Sequence, residues 1–211
     1  VAAGALRGGE PVLDSAITHI TPDGPVDRGQ SAVSLADRDF ESVAELLWTG
    51  VLPAKPPAWP APPRVVPSDH GDGPIIPRLA WVAASLGLRV DVRYGLAQDV
   101  ELDRARGIIQ ALAQSCPSEV DGPRRGAPSG TVADRFFHAC MGRAASRAQR
   151  ALVDRCLVLS ADHELNASAF AARVAAGAGT DLHGCLTAAL ATLSGPRHGG
   201  ACDRAEAFLQ E

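Results

Sequence analysis

The clearest hydrophobic pattern begins at Asp39. Phe40, Val43, Ala44 and Leu47 recur at helical spacing, Asp39 stands where a cap accepts the first free N–H groups, and Gly50 with Pro53 ends the run. This predicts a helix over about 39–50. A second stripe, Ile76, Leu79, Ala80, Ala83 and Leu86, stops at Gly87, and a third helix is predicted from Asp99 to Ser115, ahead of Pro117. Thr131 and Asp134 have capping-box spacing before VADRFFHACM, which Gly142 closes. Ser146 and Gln149 repeat that spacing at the head of a longer helix through Leu152, Cys156, Leu159 and His163. From Ala167 to Ala176 nearly every residue is small, which predicts burial by close helix packing, within the chain or against a second subunit. The last complete helix is expected from Asp181 to Ser194, with Leu182, Cys185, Leu186, Ala189, Leu190 and Leu193 inward and Gly195-Pro196 as its stop. Cys202 to Glu211 reads as one more helix without a closing signal, so the expectation is a chain that continues past Glu211.

Other stretches break helical order. Residues 1–38 combine Gly, Pro, Asp and Ser with short apolar runs such as PVLDSAITHI, predicting an N-terminal arm of extended segments, irregular or a β-hairpin. Residues 53–77 carry a proline-rich run, LPAKPPAWPAPPRVVP, which cannot sustain a helix and reads as a solvated surface loop. CPSEVDGPRRGAPSG is a second loop by composition. With no repeat and no βαβ rhythm, the predicted class is all-α: a helical domain over 39–211 preceded by the arm.

Composition narrows the classes. Apolar residues are 46% and charged residues 21% of the chain, values of an ordinary globular protein. The net charge of −4, without a long block of one sign, argues against a nucleic-acid partner. Cys116, Cys140, Cys156, Cys185 and Cys202 are scattered and never in a CxxC pair, which suits free thiols rather than a disulfide framework or a zinc site. The first residues lack the basic start and apolar run of a secretory signal, and the apolar stretch from Leu182 to Pro196 falls short of the roughly 20 residues a membrane span needs. The expectation is a cytoplasmic protein with no membrane contact.

Two of the histidines sit in unusual company. His163 lies in ADHELNAS, between two carboxylates, and His198 lies in GPRHGGA, after one helix stop and ahead of the next helix. At a helix N-terminus the macrodipole disfavours the imidazolium and leaves a neutral ring able to donate to a developing oxyanion, while Gly199 and Gly200 leave room for a ligand. A lone histidine near a helix end is also a common cap, so spacing alone leaves both readings open. HELNA is not a zinc-protease helix, because Ala167 stands where the second histidine would be. No phosphate loop, dinucleotide fingerprint or nucleophile elbow is present.

The segment ADHELNASAFAARVAAGAGTDLHGCLTAALATLSGPRHGGA closely resembles the stretch that joins the HxDHExN-like and GPxHGGAN motifs of citrate synthases, and the 35 residues from His163 to His198 match its spacing. Upstream, VDRGQSAVSLAD and FESVAELLWTGVLP are similar to that family's YRGxxIxxLA and FxEVAxLLxxGxLP segments. The resemblance implies an almost wholly helical large domain, a homodimer, and oxaloacetate with acetyl-CoA as substrates rather than any permanently bound cofactor or metal. It further implies that His163 hydrogen-bonds oxaloacetate or another 2-oxo acid, that His198 stabilises the enol or enolate of the acyl-CoA, and that Asn166 and Ser168 orient these groups.

Two departures stand out. Cys202 replaces the asparagine of HGGAN, and the family pattern continues with a GxGHRxY segment, a catalytic aspartate and substrate-binding arginines that these 211 residues do not contain. A positioned acid or base contributes about 10²–10⁴ in rate. The expectation is therefore a truncated or split portion, nearly inactive alone and completed by a C-terminal segment or a second subunit. The alternative is a non-catalytic scaffold for dimerisation or ligand sensing.

Overall fold

The computed structural model describes residues 15–65, 74–116 and 129–199. It is mainly helical, with a small antiparallel sheet at the start, as the sequence predicts. Two compact units divide the described residues: one holds 15–64, 97–116 and 129–164, the other 65, 74–96 and 165–199.

The larger unit opens with β1 (Thr18–Thr21), β2 (Gly24–Asp27) and β3 (Gln30–Ser31), in the order β1-β2-β3. The β2–β3 turn places Arg28 at φ 47° and Gly29 at φ 84°. Left-handed φ is unfavourable for an arginine, but here its guanidinium donates twice to Leu47 O, at 2.9 and 2.7 Å, and once to Ala16 O. After the short α1 (Ala32–Leu35) comes α2 (Phe40–Thr49), starting and ending where its caps predict. Asp39 accepts from Ser42 N–H, and Gly50, at φ 79°, closes the last turn. Leu35, Val43, Leu46, Leu47 and Val158 form the core, with Ile17, Phe40, Trp48, Leu52 and Ala161 packed against it.

α2 is buried on more than its apolar stripe: Glu41, Ser42 and Glu45 are buried with it. Each buried carboxylate accepts from at least one donor, though Oε2 of Glu41 is buried without a hydrogen-bond partner. Glu45 accepts from Arg106 at both oxygens, at 2.7 and 2.8 Å, and from Trp59 Nε1 at 2.9 Å. Glu41 accepts from Val132 N–H, the first N–H of α5 (Val132–Met141), at 2.7 Å, and Asp154 of α6 (Arg147–Leu159) accepts from Phe40 N–H at the head of α2. Side chains of α6 and α2 thus cap the start of another helix across 114 and 91 residues of sequence.

Several local expectations change. The proline-rich segment is no free linker between 53 and 64. Trp59 stacks on Trp48 at 5.6 Å, Gln110 of α4 (Gln98–Gln114) donates to Pro60 O at 2.7 Å, and a Cβ on Gly107 would stand 3.1 Å from Pro63. α6 ends at Leu159 rather than reaching His163, and it buries Asp154 and Val158 while Leu152, Cys156 and Leu159 are exposed.

In the other unit, α7 (Ala167–Gly177) and α3 (Ile75–Gly87) both pack on α8 (Leu182–Leu193). α3 starts inside the predicted loop, because Pro77 lies in its first turn, where no N–H is needed. Gly87 lets α8 approach: a Cβ there would lie 2.9 Å from that of His183, which is buried. No residue of α7 is buried, so within the single chain the small-residue run does not make the buried helix expected of it. On α8 only His183 and Leu190 are buried, and the rest of its predicted inward face is half-exposed. The loop over 117–128 and the predicted helix over 202–211 lie outside the described residues.

Candidate active site

Asn166 is the N-cap of α7, and its Oδ1 accepts from Ala169 N–H at 3.0 Å. The same oxygen accepts the hydroxyl of Ser168 at 2.7 Å, and Ser168 Oγ lies 3.0 Å from Nε2 of His198. Three of the predicted site residues therefore form one hydrogen-bonded row. Its chemistry is limited by the single hydroxyl proton. With that proton on Asn166, Ser168 accepts from His198 Nε2–H. With the hydroxyl turned to the ring, Nε2 accepts and the proton of a neutral ring sits on Nδ1.

His198 stands half-buried in the turn that follows α8, its N–H donating to Gly195 O at 3.0 Å. The helix expected to start beyond it lies outside the described residues, so the turn is what holds the ring here. Gly199 has a local purpose that the sequence reading did not assign. Its N–H donates to Leu193 O at 2.9 Å, and a Cβ there would be 2.4 Å from that oxygen, closer than any side chain tolerates.

His163 belongs to the other compact unit, in the loop that follows α6. Its ring is exposed, and Nε2–H donates to Leu159 O at 2.8 Å, satisfying a carbonyl at the end of α6. The next residue, Glu164, has φ 60°, a left-handed conformation that costs a side-chain-bearing residue energy and turns the chain sharply after the histidine. Asp162 Oδ2 is buried without a hydrogen-bond partner.

Sequence reasoning missed one residue of this neighbourhood. Asp27, at the end of β2, is 1% exposed and accepts from Thr18 Oγ1 at 2.7 Å. Burial raises its pKa above the ordinary aspartate value and Asp162 adds to the rise, while the Thr18 bond and His163 work against it. The only sequence signal was Asp27 in VDRGQ, at the position where YRGxxIxxLA has tyrosine.

Among the described residues no three His, Cys, Asp or Glu side chains are placed to hold a metal ion, and no helix is long and apolar enough to cross a membrane.

Comparison with known proteins agrees with the motifs. The family model for the citrate synthase C-terminal domain matches residues 104–211. The 2-methylcitrate synthase of Mycobacterium tuberculosis is 31% identical over 191 residues, covering 82% of this chain and 49% of that protein. The citrate synthase of Saccharolobus solfataricus is 44% identical over 92 residues, covering 44% of this chain and 24% of that protein. The crystal structure of citrate synthase from Pyrobaculum aerophilum matches with a TM-score of 0.71 at 25% identity, covering 93% of this chain and 56% of that one. The chain spans half or less of the length of these two curated relatives.

Proposed function

Because the chain belongs to the citrate synthase family, we propose that its reaction is the condensation of an acyl-CoA, acetyl-CoA in the first instance, with oxaloacetate or another 2-oxo acid. The acyl α-carbon loses a proton to a base, its enolate forms a carbon–carbon bond to the ketone carbon, and water then cleaves the thioester to release free CoA. The acyl-CoA is consumed as a substrate, and no resident cofactor enters.

The observation that carries this reading is the row Asn166–Ser168–His198. To hold an enolate oxygen, His198 must donate from Nδ1 while remaining neutral. Ser168 then donates to Nε2, releasing Asn166 Oδ1 to Ala169 N–H alone. By the family resemblance, His163 would hydrogen-bond the 2-oxo acid. A homodimer belongs to the same proposal: α7 presents Ala and Gly and buries none of them in the single chain, as a helix that packs against a second copy would.

The test is release of free thiol by the protein in its natural form, supplied with acetyl-CoA or propionyl-CoA and a series of 2-oxo acids. Release should require both substrates, and His198→Ala should lower kcat by about 10²–10³, the loss typical for one oxyanion donor. If no 2-oxo acid elicits thiol release, the scaffold alternative takes its place.

A further inference from the structure

Arg28 has no part in the condensation, yet the fold holds it in an unusual way. Arg28 and Glu164 are the non-glycine residues at positive φ among the described residues, and Arg28 is half-buried. Its guanidinium is fixed by three hydrogen bonds, from Nε and Nη2 to Leu47 O at 2.9 and 2.7 Å and from Nη1 to Ala16 O at 3.0 Å. A guanidinium has five N–H groups, so one is left over on each terminal nitrogen. Both partners are neutral carbonyls, and among the described residues no carboxylate pairs with this arginine. A side chain whose backbone conformation costs energy, and whose charge is fixed but not neutralised, is the arrangement met at ligand clamps.

Space for a ligand lies beside it. Arg28 lines a cavity of about 360 Å³ that the hairpin forms with Gly50 at the end of α2, within the range of about 300–1,000 Å³ usual for small-molecule sites. Strand alternation decides which side chains face it. Thr18 and Asp27 are register partners and both are buried, the carboxyl of Asp27 accepting the Thr18 hydroxyl at 2.7 Å. The next pair, His19 and Val26, points to the opposite side of the hairpin and lines the cavity. Asp27, the acid adjoining Arg28 in the chain, is therefore turned inward, away from an anion in the cavity. Ala16 and Ile17 extend the apolar wall begun by Val26. A Cβ built on Gly29 or Gly50 would meet nothing within 4 Å, so the turn and the helix end both leave the cavity open.

An apolar wall beside one fixed guanidinium suits a ligand with an apolar body and a single planar anion. A carboxylate meets that description, because its two oxygens can accept from the two terminal nitrogens at once. We propose that this cavity is a binding site for a small monocarboxylate, with its oxygens on the unused N–H groups of Arg28 and its apolar body against Ile17 and Val26. Neither His163 nor His198 takes part, so the site does not depend on the condensation reading.

The test is an NMR titration of the isotope-labelled protein in its natural form with three probes. Butyrate carries both features, butyramide keeps the shape without the charge, and inorganic phosphate is an anion without an apolar body. With butyrate the amide signals of Gly29 and Gly50 should move together and saturate, at a Kd about tenfold or more below that of either other probe. Arg28→Lys replaces the fork by a point charge and should weaken butyrate binding about tenfold. Because Arg28 also holds Leu47 O, a second variant leaves it in place: Ala16→Phe, at an exposed position, should fill the cavity and abolish saturation while thermal unfolding stays that of the parent. The proposal is overturned if Gly29 and Gly50 do not respond to butyrate, or if butyramide or phosphate binds as tightly. Parent-like affinity for butyrate in Ala16→Phe, or in a folded Arg28→Lys, overturns it equally.

Discussion

Buried carboxyls in the two compact units are shifted in opposite directions. In the larger one, Glu41 and Asp154 are buried deeply enough that desolvation outweighs their backbone donors, and both carboxyls are raised above their ordinary values. In the smaller one, Asp181 caps α8. Burial works against its charge too, but Gly184 N–H at 2.8 Å, His183 and Arg93 at 3.1 Å together hold its carboxyl below the usual range. A raised carboxyl binds its proton more tightly in the fold, so its contribution is complete below the unfolded value and is lost as pH rises through the folded one. A lowered carboxyl contributes above the unfolded value and loses that as pH falls through the folded one. The same side-chain chemistry, placed deep beside other carboxylates or at a helix start beside an arginine, reverses the pH response.

Packing separates the units as well, and it gives the most forceful way to break the comparison. Leu46 is 1% exposed in the core of the larger unit, whereas Leu190 on α8 is 8% exposed between half-exposed neighbours. Leu46→Ala should cost about 2–5 kcal/mol by denaturant unfolding, and Leu190→Ala should fall at the lower end of that range or beneath it. Equal losses would mean that the units are held alike. Next in size is the response to rising pH. Glu41→Gln keeps an acceptor for Val132 N–H and removes the charge, so it should flatten the decline in stability expected of the parent as pH rises out of the ordinary carboxylate range. A variant with the parent's slope would free Glu41 of that role. The smallest effect belongs to Asp181→Asn, which keeps the cap and should change stability at neutral pH by less than about 1 kcal/mol. It should still remove part of the acid sensitivity of the smaller unit.

Features carried by neighbouring residues were legible in the sequence. Asp39, Thr131 with Asp134, and Ser146 with Gln149 all cap the helices they were expected to cap. Gly50 and Gly142 close their helices in the left-handed conformation that favours glycine. The unusual settings of His163 and His198 were legible, the family resemblance added Asn166 and Ser168, and three of the four share one row of hydrogen bonds. Features that depend on partners remote in sequence were hidden. Neither periodicity nor composition tells that Glu41 reaches Val132 or that Asp154 reaches Phe40. The α6 face was misassigned for a related reason: its buried positions include Asp154, a charged residue that no hydrophobic stripe would contain.

The proline-rich segment docked on α2 has one more consequence. Of the three tryptophans, Trp48 and Trp59 are stacked 5.6 Å apart, while Trp81 stands 41% exposed on α3. Two indoles at that separation couple their electronic transitions and give a paired near-ultraviolet circular dichroism signal that vanishes when the stack opens. Trp81, partly open to solvent, emits as a solvent-touched fluorophore. Each unit thus has an intrinsic chromophore of its own, and their melting can be recorded separately in one cuvette without a label.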